Sequence, residues 1–341
     1  MANIAINGLG RVGRAALKII EGTGGAEVVA VNDLVPADNL AYLLRYDTVY
    51  GHWRKTVAAA GDSLAVGGRA VPVLAKRDPA GLPWGDLGVD LVLECTGAFR
   101  REEELKKHLA AGARLVILSA PARTETVATV VHGVNRAPAG AQVISCASCT
   151  TNCITPVAEV LDRRFGVRQA IMTSVHAYTS SQQLIDGPSK DFRRGRAGAA
   201  NMLPASTGAA LATTKALPGL AGRFDGVAVR VPIPVGSIAD VVAVTARPTT
   251  PEEVNDAFRA EAASDRYRGI LGVAEDPVVS ADIIGDPRAS VVDVAMTRVV
   301  DGTLVKVMSW YDNEWGFACQ MIREAYAALG LPVPDLSQAR S

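Results

Sequence analysis

The stretch Asn3–Arg14, NIAINGLGRVGR, decides the fold. Asn3–Gly10 is a short apolar run that ends in glycines. RVGRAALKIIEG, from Arg11, then takes helical spacing, with Val12, Ala16, Ile19 and Ile20 on one side. Gly8-x-Gly10-x-x-Gly13 therefore lies between a strand and a helix. Glu27–Asp33, EVVAVND, reads as the next strand, with Asp33 twenty residues after Gly13. A glycine pattern of this kind alone is a weak sign. Between a strand and a helix, with an acid closing the following strand, it indicates a dinucleotide site. Gly8 and Gly10 would let the backbone approach a pyrophosphate, whose charge favours a helix N-terminus. Gly13 would allow close helix–strand packing. Asp33 would accept hydrogen bonds from the adenosine ribose and repel a 2′-phosphate, so NAD is favoured over NADP.

The alternation continues outward. Val89–Gly97 (VDLVLECTG), Arg114–Pro121 (RLVILSAP) and Ala141–Ser148 (AQVISCAS) read as further strands, and Arg101–Ala113 (REEELKKHLAAGA) as a charged helix. Strands alternating with helices predict an α/β, Rossmann-type domain built on a parallel sheet. Ligands bind at the carboxyl ends of such strands. Asn7–Gly10, Asp33, Thr96–Gly97, Ser119 and Cys149 all fall there.

Composition sets the bounds. At 341 residues the chain suits two domains. Hydrophobic content of 49% and charged content of 21% describe a soluble globular protein. Lys+Arg and Asp+Glu are equal at 35 each, so nothing marks a nucleic acid or an anionic membrane as partner. No apolar run approaches the roughly 20 residues of a membrane span. The N-terminus lacks a signal-peptide layout, and a cytoplasmic location is expected. Five cysteines, an odd number, do not form a disulfide framework.

Three of those cysteines lie in Ser145–Cys153, SCASCTTNC, ahead of the helical TTNCITPVAEVLDRRFG. Cys149 thus sits at a helix start, where the dipole favours a thiolate. Cys153, one turn further in, reads as packing. The histidines offer Cys149 one partner. His108 falls in the charged helix and reads as a solvated face residue. His132 reads as structural, and His52 as a loop residue. His176 ends the apolar strand AIMTSVHAYT, and a Cys–His pair can activate a thiol and move a proton. Zinc competes: Cys146-x-x-Cys149 is half a ligand pattern, but no second half follows, and no metal is expected. A redox pair of Cys146 and Cys149 is a further alternative.

The second half supplies anion-binding groups. Asp191–Lys215 opens with Lys190, Arg193, Arg194 and Arg196 close together and ends in a Ser-Thr-Gly turn. Phe224–Ala246 alternates as an antiparallel strand pair would, with Arg230 inside the alternation. Arg194, Thr207, Gly208 and Arg230 are the materials of a phosphate site. Ser290–Asn313 reads as two strands around the Asp301-Gly302 turn. Glu314–Gly330 reads as a long helix returning to the first domain. The expected boundaries are 1–148 for the nucleotide domain, completed by 314–341, and 149–313 for an α+β catalytic domain with a mixed or antiparallel sheet.

Together these segments resemble phosphorylating glyceraldehyde-3-phosphate dehydrogenase, in order and over essentially the whole chain. INGLGRVGR, AVNDL, ASCTTNC, HAYT, DGPSKDFRRGRAGAAN, PASTGAA, RVPIP and SWYDNEWGF carry the resemblance. It implies that Cys149 attacks the aldehyde of a triose phosphate and that His176 is the acid/base. It implies that inorganic phosphate resolves the resulting thioester. Thr179 and Arg230 match ligands of the substrate phosphate, while Ser148, Thr150, Thr207, Gly208 and Arg194 match groups around the attacking phosphate. Asn7, Gly8, Gly10, Arg11, Val12, Gly13, Asp33, Arg77, Thr96, Gly97, Ser119 and Asn313 match the NAD site. Leu34 and Pro188 agree with NAD-preferring members. The resemblance also implies a homotetramer, with residues 178–201 lining a neighbouring copy's cofactor site.

The chain departs from the family pattern in places. Cys146 replaces an asparagine, Ser180-Ser181 replaces Asn-Asp or Gly-Asp, and Leu211 replaces a lysine. Ile233 stands where threonine is common, and Phe317 lacks a tyrosine hydroxyl. None removes a reacting group, and a specialised copy of the enzyme is one hypothesis for the set. The alternatives are erythrose-4-phosphate dehydrogenase, whose acyl-enzyme is released by water, and a non-catalytic NAD-binding redox sensor using Cys146 and Cys149.

Overall fold

In the computed structural model, which describes residues 1–337, the opening run is β1 (Ala2–Asn7), with Ile4, Ala5 and Ile6 fully buried. The chain divides into two units. One comprises residues 1–132, 136–147 and the chain from Ala318; the other comprises residues 133–135 and 148–317.

In the first unit, α1 (Arg11–Gly22) follows β1 and buries Ala15, Ala16, Ile19 and Ile20. Next come β2 (Ala26–Asn32), α2 (Ala37–Arg45), the short hairpin β3 (Tyr46–Asp47) and β4 (Gly51–His52), and β5 (Val57–Ala60), β6 (Ser63–Val66) and β7 (Arg69–Leu74). β8 (Leu91–Glu94), α3 (Glu102–Ala110), β9 (Leu115–Leu118), β10 (Ala128–Thr129) and β11 (Val143–Ser145) follow. The sheet order is β10-β11-β9-β8-β1-β2-β7-β6-β5. It is parallel from β10 to β7, and antiparallel across β7, β6 and β5. A sheet of this kind is covered on both faces, which is why β8 (LVLE) is buried at every position. In register, Asn7 pairs with both Asn32 and Glu94, and Glu94 with Leu118. The last residues of the central strands thus form one row.

One histidine departs from expectation. His108 is fully buried, not solvated. Helix α3 turns Glu103 and Lys106 outward, but Leu105 and His108 are three apart and share the inner face.

In the second unit, α4 (Cys149–Phe165) leads into β12 (Val167–Ala177). Then come β13 (Leu203–Ser206), α5 (Ala209–Ala216), β14 (Phe224–Val231), β15 (Ser237–Thr245) and α6 (Pro251–Ala263). β16 (Leu271–Ala274), β17 (Ser290–Asp293), β18 (Arg298–Val300) and β19 (Leu304–Tyr311) complete its sheet, ordered β13-β14-β12-β15-β19-β17-β16 with β18 beside β19. The sheet is mixed: β12 runs parallel to β14 and antiparallel to β15. Cys153, Ile154, Val157 and Leu161 of α4 share a core with Ala239, Val241, Val305 and Val307. Helix α7 (Trp315–Ala328) passes from the second unit into the first at Ala318.

The expected strand pair over 224–246 is corrected here. β14 and β15 are not neighbours, because β12 lies between them and pairs with both. Pro232-Ile233-Pro234-Val235-Gly236 suits no two-residue hairpin turn and is long enough to cross one strand. The Asp301-Gly302 turn does join a hairpin, β18 to β19, with both residues at positive φ (48° and 65°).

Candidate active site

Cys149 is the first residue of α4. Ser148 caps that helix, its Oγ accepting the Thr151 N–H at 3.1 Å. The chain enters through Ala147 in the left-handed region (φ 57°), an uncommon conformation for a residue with a Cβ. His176 is the penultimate residue of β12 and 4% exposed. Its Nε2 lies 3.3 Å from the Cys149 Sγ.

The charges around the pair explain what it can do. Burial pushes the Cys149 thiol up, and Arg230 and hydrogen bonds at Thr150 pull it back down. Burial, with Arg230 second, lowers His176 to about 3. Burial opposes a lone charge on either group, but a proton passed from Sγ to Nε2 creates opposite charges 3.3 Å apart that stabilise one another. The helix start and Arg230 add to the thiolate's share. Cys95 and Cys153 are pushed up to about 12 by burial, and Cys146 well above the usual thiol range. Of these thiols Cys149 has a guanidinium, Arg230, pulling it down, the setting of a reactive cysteine.

Arg230 lies opposite His176 in the β12–β14 register. Its Nη1 donates to the Ala177 carbonyl (3.1 Å) and rests against His176 Nδ1. That Nδ1 is also 2.7 Å from the same carbonyl. Ring and guanidinium thus compete for one acceptor. An anion that drew Arg230 away would leave the carbonyl to Nδ1–H, with Nε2 as the basic nitrogen facing sulfur. Arg230 Nε is buried without a partner among the described residues. A half-buried guanidinium in this condition suits a phosphate or carboxylate.

The other anion-site candidates group as follows. Ser181 Oγ accepts from Arg194 Nη1 (2.7 Å) and lies 2.8 Å from Thr179 Oγ1, so this departure from the family pattern becomes a neutral bridge. Arg194 also meets Asp191 at 3.3 Å. Thr207 Oγ1 accepts the Ala209 N–H at the start of α5, and Gly208 caps that helix without a side chain. Leu211 is exposed on it. Ser148 and Thr150 have their hydroxyls engaged, Ser148 in the cap and Thr150 with Tyr311 Oη at 2.9 Å.

In the first unit the glycines do what a pyrophosphate loop needs. A Cβ at Gly13 would sit 2.0 Å from the Gly8 carbonyl oxygen, and one at Gly8 (φ 93°) 2.7 Å from the Thr96 nitrogen. A Cβ at Gly10, by contrast, would meet nothing within 4 Å, and the start of α1 has neither a capping side chain nor an acid in its first turn. An open, uncapped helix start fits a bound pyrophosphate. Asp33 accepts the Leu9 N–H (2.7 Å) and the Val35 N–H (3.0 Å), which holds its carboxylate beside the loop. Arg11, next to Val12, pairs with Asp47, and Arg77 is exposed after β7. Thr96, Gly97 and Ser119 follow the ends of β8 and β9. Asn7 is buried, its Nδ2 donating to Glu94 and its Oδ1 accepting from Asn32, which fixes the end of β1 before the glycine loop. In the second unit, Asn313 Oδ1 accepts from Gly236 N (3.1 Å) and Ser237 Oγ (2.9 Å), which leaves its amide N–H groups to offer.

Sequence reasoning missed three supporting groups. Tyr311 Oη joins Thr150 and Ser174, each at 2.9 Å, and its ring stands edge-on to His176. Ser237 joins Asn313 to the Ala177 N–H. Glu94 lies beneath Thr96. An inward position in an alternating strand would have flagged Tyr311; only the tertiary register finds the others. Among the described residues, no group of three or more His, Cys, Asp or Glu side chains is placed to hold a metal ion.

A dinucleotide-type parallel sheet in one unit and a buried thiol–imidazole pair in the other define an NAD-dependent oxidoreductase. Residues 2–102 match the NAD binding domain of glyceraldehyde 3-phosphate dehydrogenase, and residues 148–313 its C-terminal domain. The chain is 48% identical to glyceraldehyde-3-phosphate dehydrogenase 1 of Bacillus subtilis, over 94% of this chain and 96% of that one. It is 47% identical, with the same coverage, to glyceraldehyde-3-phosphate dehydrogenase 2 of Streptomyces avermitilis and to the Geobacillus stearothermophilus enzyme of that name. The chain belongs to the glyceraldehyde 3-phosphate dehydrogenase family.

Proposed function

We propose that this protein oxidises glyceraldehyde 3-phosphate with NAD and inorganic phosphate to 1,3-bisphosphoglycerate, as in glycolysis. The observation that carries the proposal is Cys149 Sγ at 3.3 Å from His176 Nε2, beside an Arg230 guanidinium whose buried Nε has no partner among the described residues. Cys149 thiolate adds to the aldehyde carbon, forming a C–S bond and an oxyanion. The Cys149 N–H and the His176 Nε2–H stabilise that oxygen. The oxygen takes the proton of His176 Nε2–H to become a hydroxyl, and Nε2 takes that proton back as the C–H bond breaks. Bound NAD would supply the acceptor for the hydride that leaves that carbon. Phosphate oxygen next attacks the thioester, the C–S bond breaks and Cys149 leaves as thiolate. Thr179 and Arg230 would hold the substrate phosphate. Ser148, Thr150, Thr207, Gly208 and Arg194 would surround the attacking phosphate. The loop Gly8–Gly13, with Asp33, Arg77, Thr96, Gly97 and Ser119, would hold NAD, and Asn313 would offer its amide to the nicotinamide end. A reduced, cytoplasmic setting for Cys149 belongs to the same proposal.

NADH formation at 340 nm tests the reading. Turnover with glyceraldehyde 3-phosphate and NAD should require inorganic phosphate. Turnover indifferent to phosphate would point instead to hydrolytic release, as in the erythrose-4-phosphate enzyme.

The homotetramer is part of the same proposal. Leu184, Ile185, Phe192 and Met202 are each at least 75% exposed, more apolar surface than a lone chain leaves open in one segment. Light scattering should give four times the 35.6 kDa chain mass. A single-chain mass at working concentration would remove this part of the reading.

A further inference from the structure

The row of residues at the carboxyl ends of the central strands holds a buried polar chain that catalysis does not use. Trp84 and His108 are fully buried, and so is Glu94. The Trp84 indole N–H donates to His108 Nδ1 at 3.0 Å. An indole nitrogen only donates, so Nδ1 accepts, and the proton of the ring sits on Nε2. That nitrogen lies 3.1 Å from Glu94 Oε2. The same oxygen accepts from Asn7 Nδ2 at 2.5 Å. Glu94 Oε1 accepts the Thr96 backbone N–H at 2.8 Å and the Thr96 hydroxyl. Four donors from three elements therefore meet on one buried carboxylate.

The chain continues beyond Asn7. Its Oδ1 accepts from Asn32 Nδ2 at 2.7 Å. Asn32 in turn binds both backbone groups of Lys76, each at 2.9 Å. One hydrogen-bonded line thus ties the loops that follow β8, β1, β2 and β7. These loops carry Thr96 and Gly97, Gly8 and Gly10, Asp33, and Arg77. Gly8 and Thr96 are packed so closely that a Cβ on the glycine would collide with the threonine backbone. A change in one loop must therefore move the other.

We propose that Glu94, oriented by His108 and Trp84, is a positioning residue for NAD: the chain sets the spacing of the loops that hold the adenosine and pyrophosphate. The proposal rests on the reading of these loops as the cofactor site. Each element contributes a specific constraint. Trp84 selects the His108 tautomer, that tautomer gives Glu94 a donor, and Glu94 orders the Thr96 loop and the Asn7 amide together. Asn7 then has its donor edge fixed toward Glu94 and its acceptor edge toward Asn32.

The test compares His108→Leu, His108→Gln and Trp84→Phe with the wild type. Calorimetric titration gives the affinity for NAD and for ADP-ribose, which carries only the part of the cofactor these loops would hold. Circular dichroism checks the fold. His108→Leu strands the indole N–H and removes one donor from Glu94. It should weaken NAD and ADP-ribose equally, by about tenfold. His108→Gln retains one acceptor and one donor about as far apart as the ring nitrogens, and should recover most of that loss. Alkylation of Cys149 by iodoacetamide without cofactor should stay within about twofold of wild type in all three, since the second unit's own groups set it. If His108→Leu does not fold, Trp84→Phe carries the test, because it keeps an aromatic ring and removes the N–H. A several-fold loss for both ligands is then expected. Wild-type affinity in a folded His108→Leu or Trp84→Phe protein overturns the proposal. So does His108→Gln no better than His108→Leu, which would leave a packing role only. Wild-type protein that bound neither ligand would instead bring down the cofactor reading on which the proposal rests.

Discussion

Cys149→Ser should lose turnover by about four orders of magnitude or more while still binding NAD. The serine oxygen keeps the place at the head of α4 but not the chemistry. A hydroxyl is far less acidic than a thiol, and His176, lowered to about 3 by burial and Arg230, is a poor base for it. The serine would also give an ester, less readily attacked by phosphate than a thioester. Side-chain volume changes little, so α4 and its cap at Ser148 should persist. Cofactor affinity by titration and burst-phase NADH formation separate the two effects. No burst with unchanged NAD affinity is expected. A serine variant with a full burst would show that another group is the nucleophile. Cys146 and Cys153 are poor candidates for it, because burial holds both thiols protonated.

His176→Asn should reduce kcat by about 10² to 10⁴ and change the pH dependence of Cys149. The sign follows from the forces at the pair. Burial raises the thiol, whereas Arg230 and hydrogen bonds at Thr150 lower it, and a proton accepted at His176 Nε2, 3.3 Å away, would add an opposite charge. Removing the ring deletes the nearest group that can take the thiol's proton and leaves the burial unchanged. The apparent titration of Cys149 should therefore move to higher pH, and iodoacetamide should react more slowly at pH 7, by about tenfold or more. A variant with the wild-type alkylation profile would mean that Arg230 and the helix start alone support the thiolate. The wild-type profile should also respond to phosphate. An anion on Arg230 relieves its pressure on His176, so bound phosphate should favour the imidazolium and sharpen the contrast with the variant.

How much of this was legible in the chain differs by element. Gly8, Gly10, Gly13 and Asp33 could be read directly, since each answers a local demand: a tight turn, an open backbone, a close approach, an acid at a strand end. The sheet containing β1, β2, β8 and β9 followed from short apolar runs alternating with helices. Cys149 at a helix start was equally local. The layout of the second unit was not. Alternation over 224–246 showed two strands but not that β12 lies between them, because period two reports which face a residue takes and nothing about its neighbour. The solvated reading of His108 failed for a related reason. Charge density dominates the helix as a string, whereas burial depends on which turn meets the sheet.

The sequence by itself determined the glycine loop between β1 and α1, the cysteine at the head of α4 and the family, because these depend on residue type at short spacing. Only the tertiary structure decided that Arg230 stands opposite His176, its buried Nε without a partner among the described residues. It alone showed that Ser181 bridges Thr179 and Arg194, and that Glu94 gathers four donors under the cofactor loops. Strand register and burial bring Arg230 to His176, 54 positions away, and Asn7 to Glu94, 87 positions away. No local pattern encodes a distance of that kind; the packing of the whole sheet sets it.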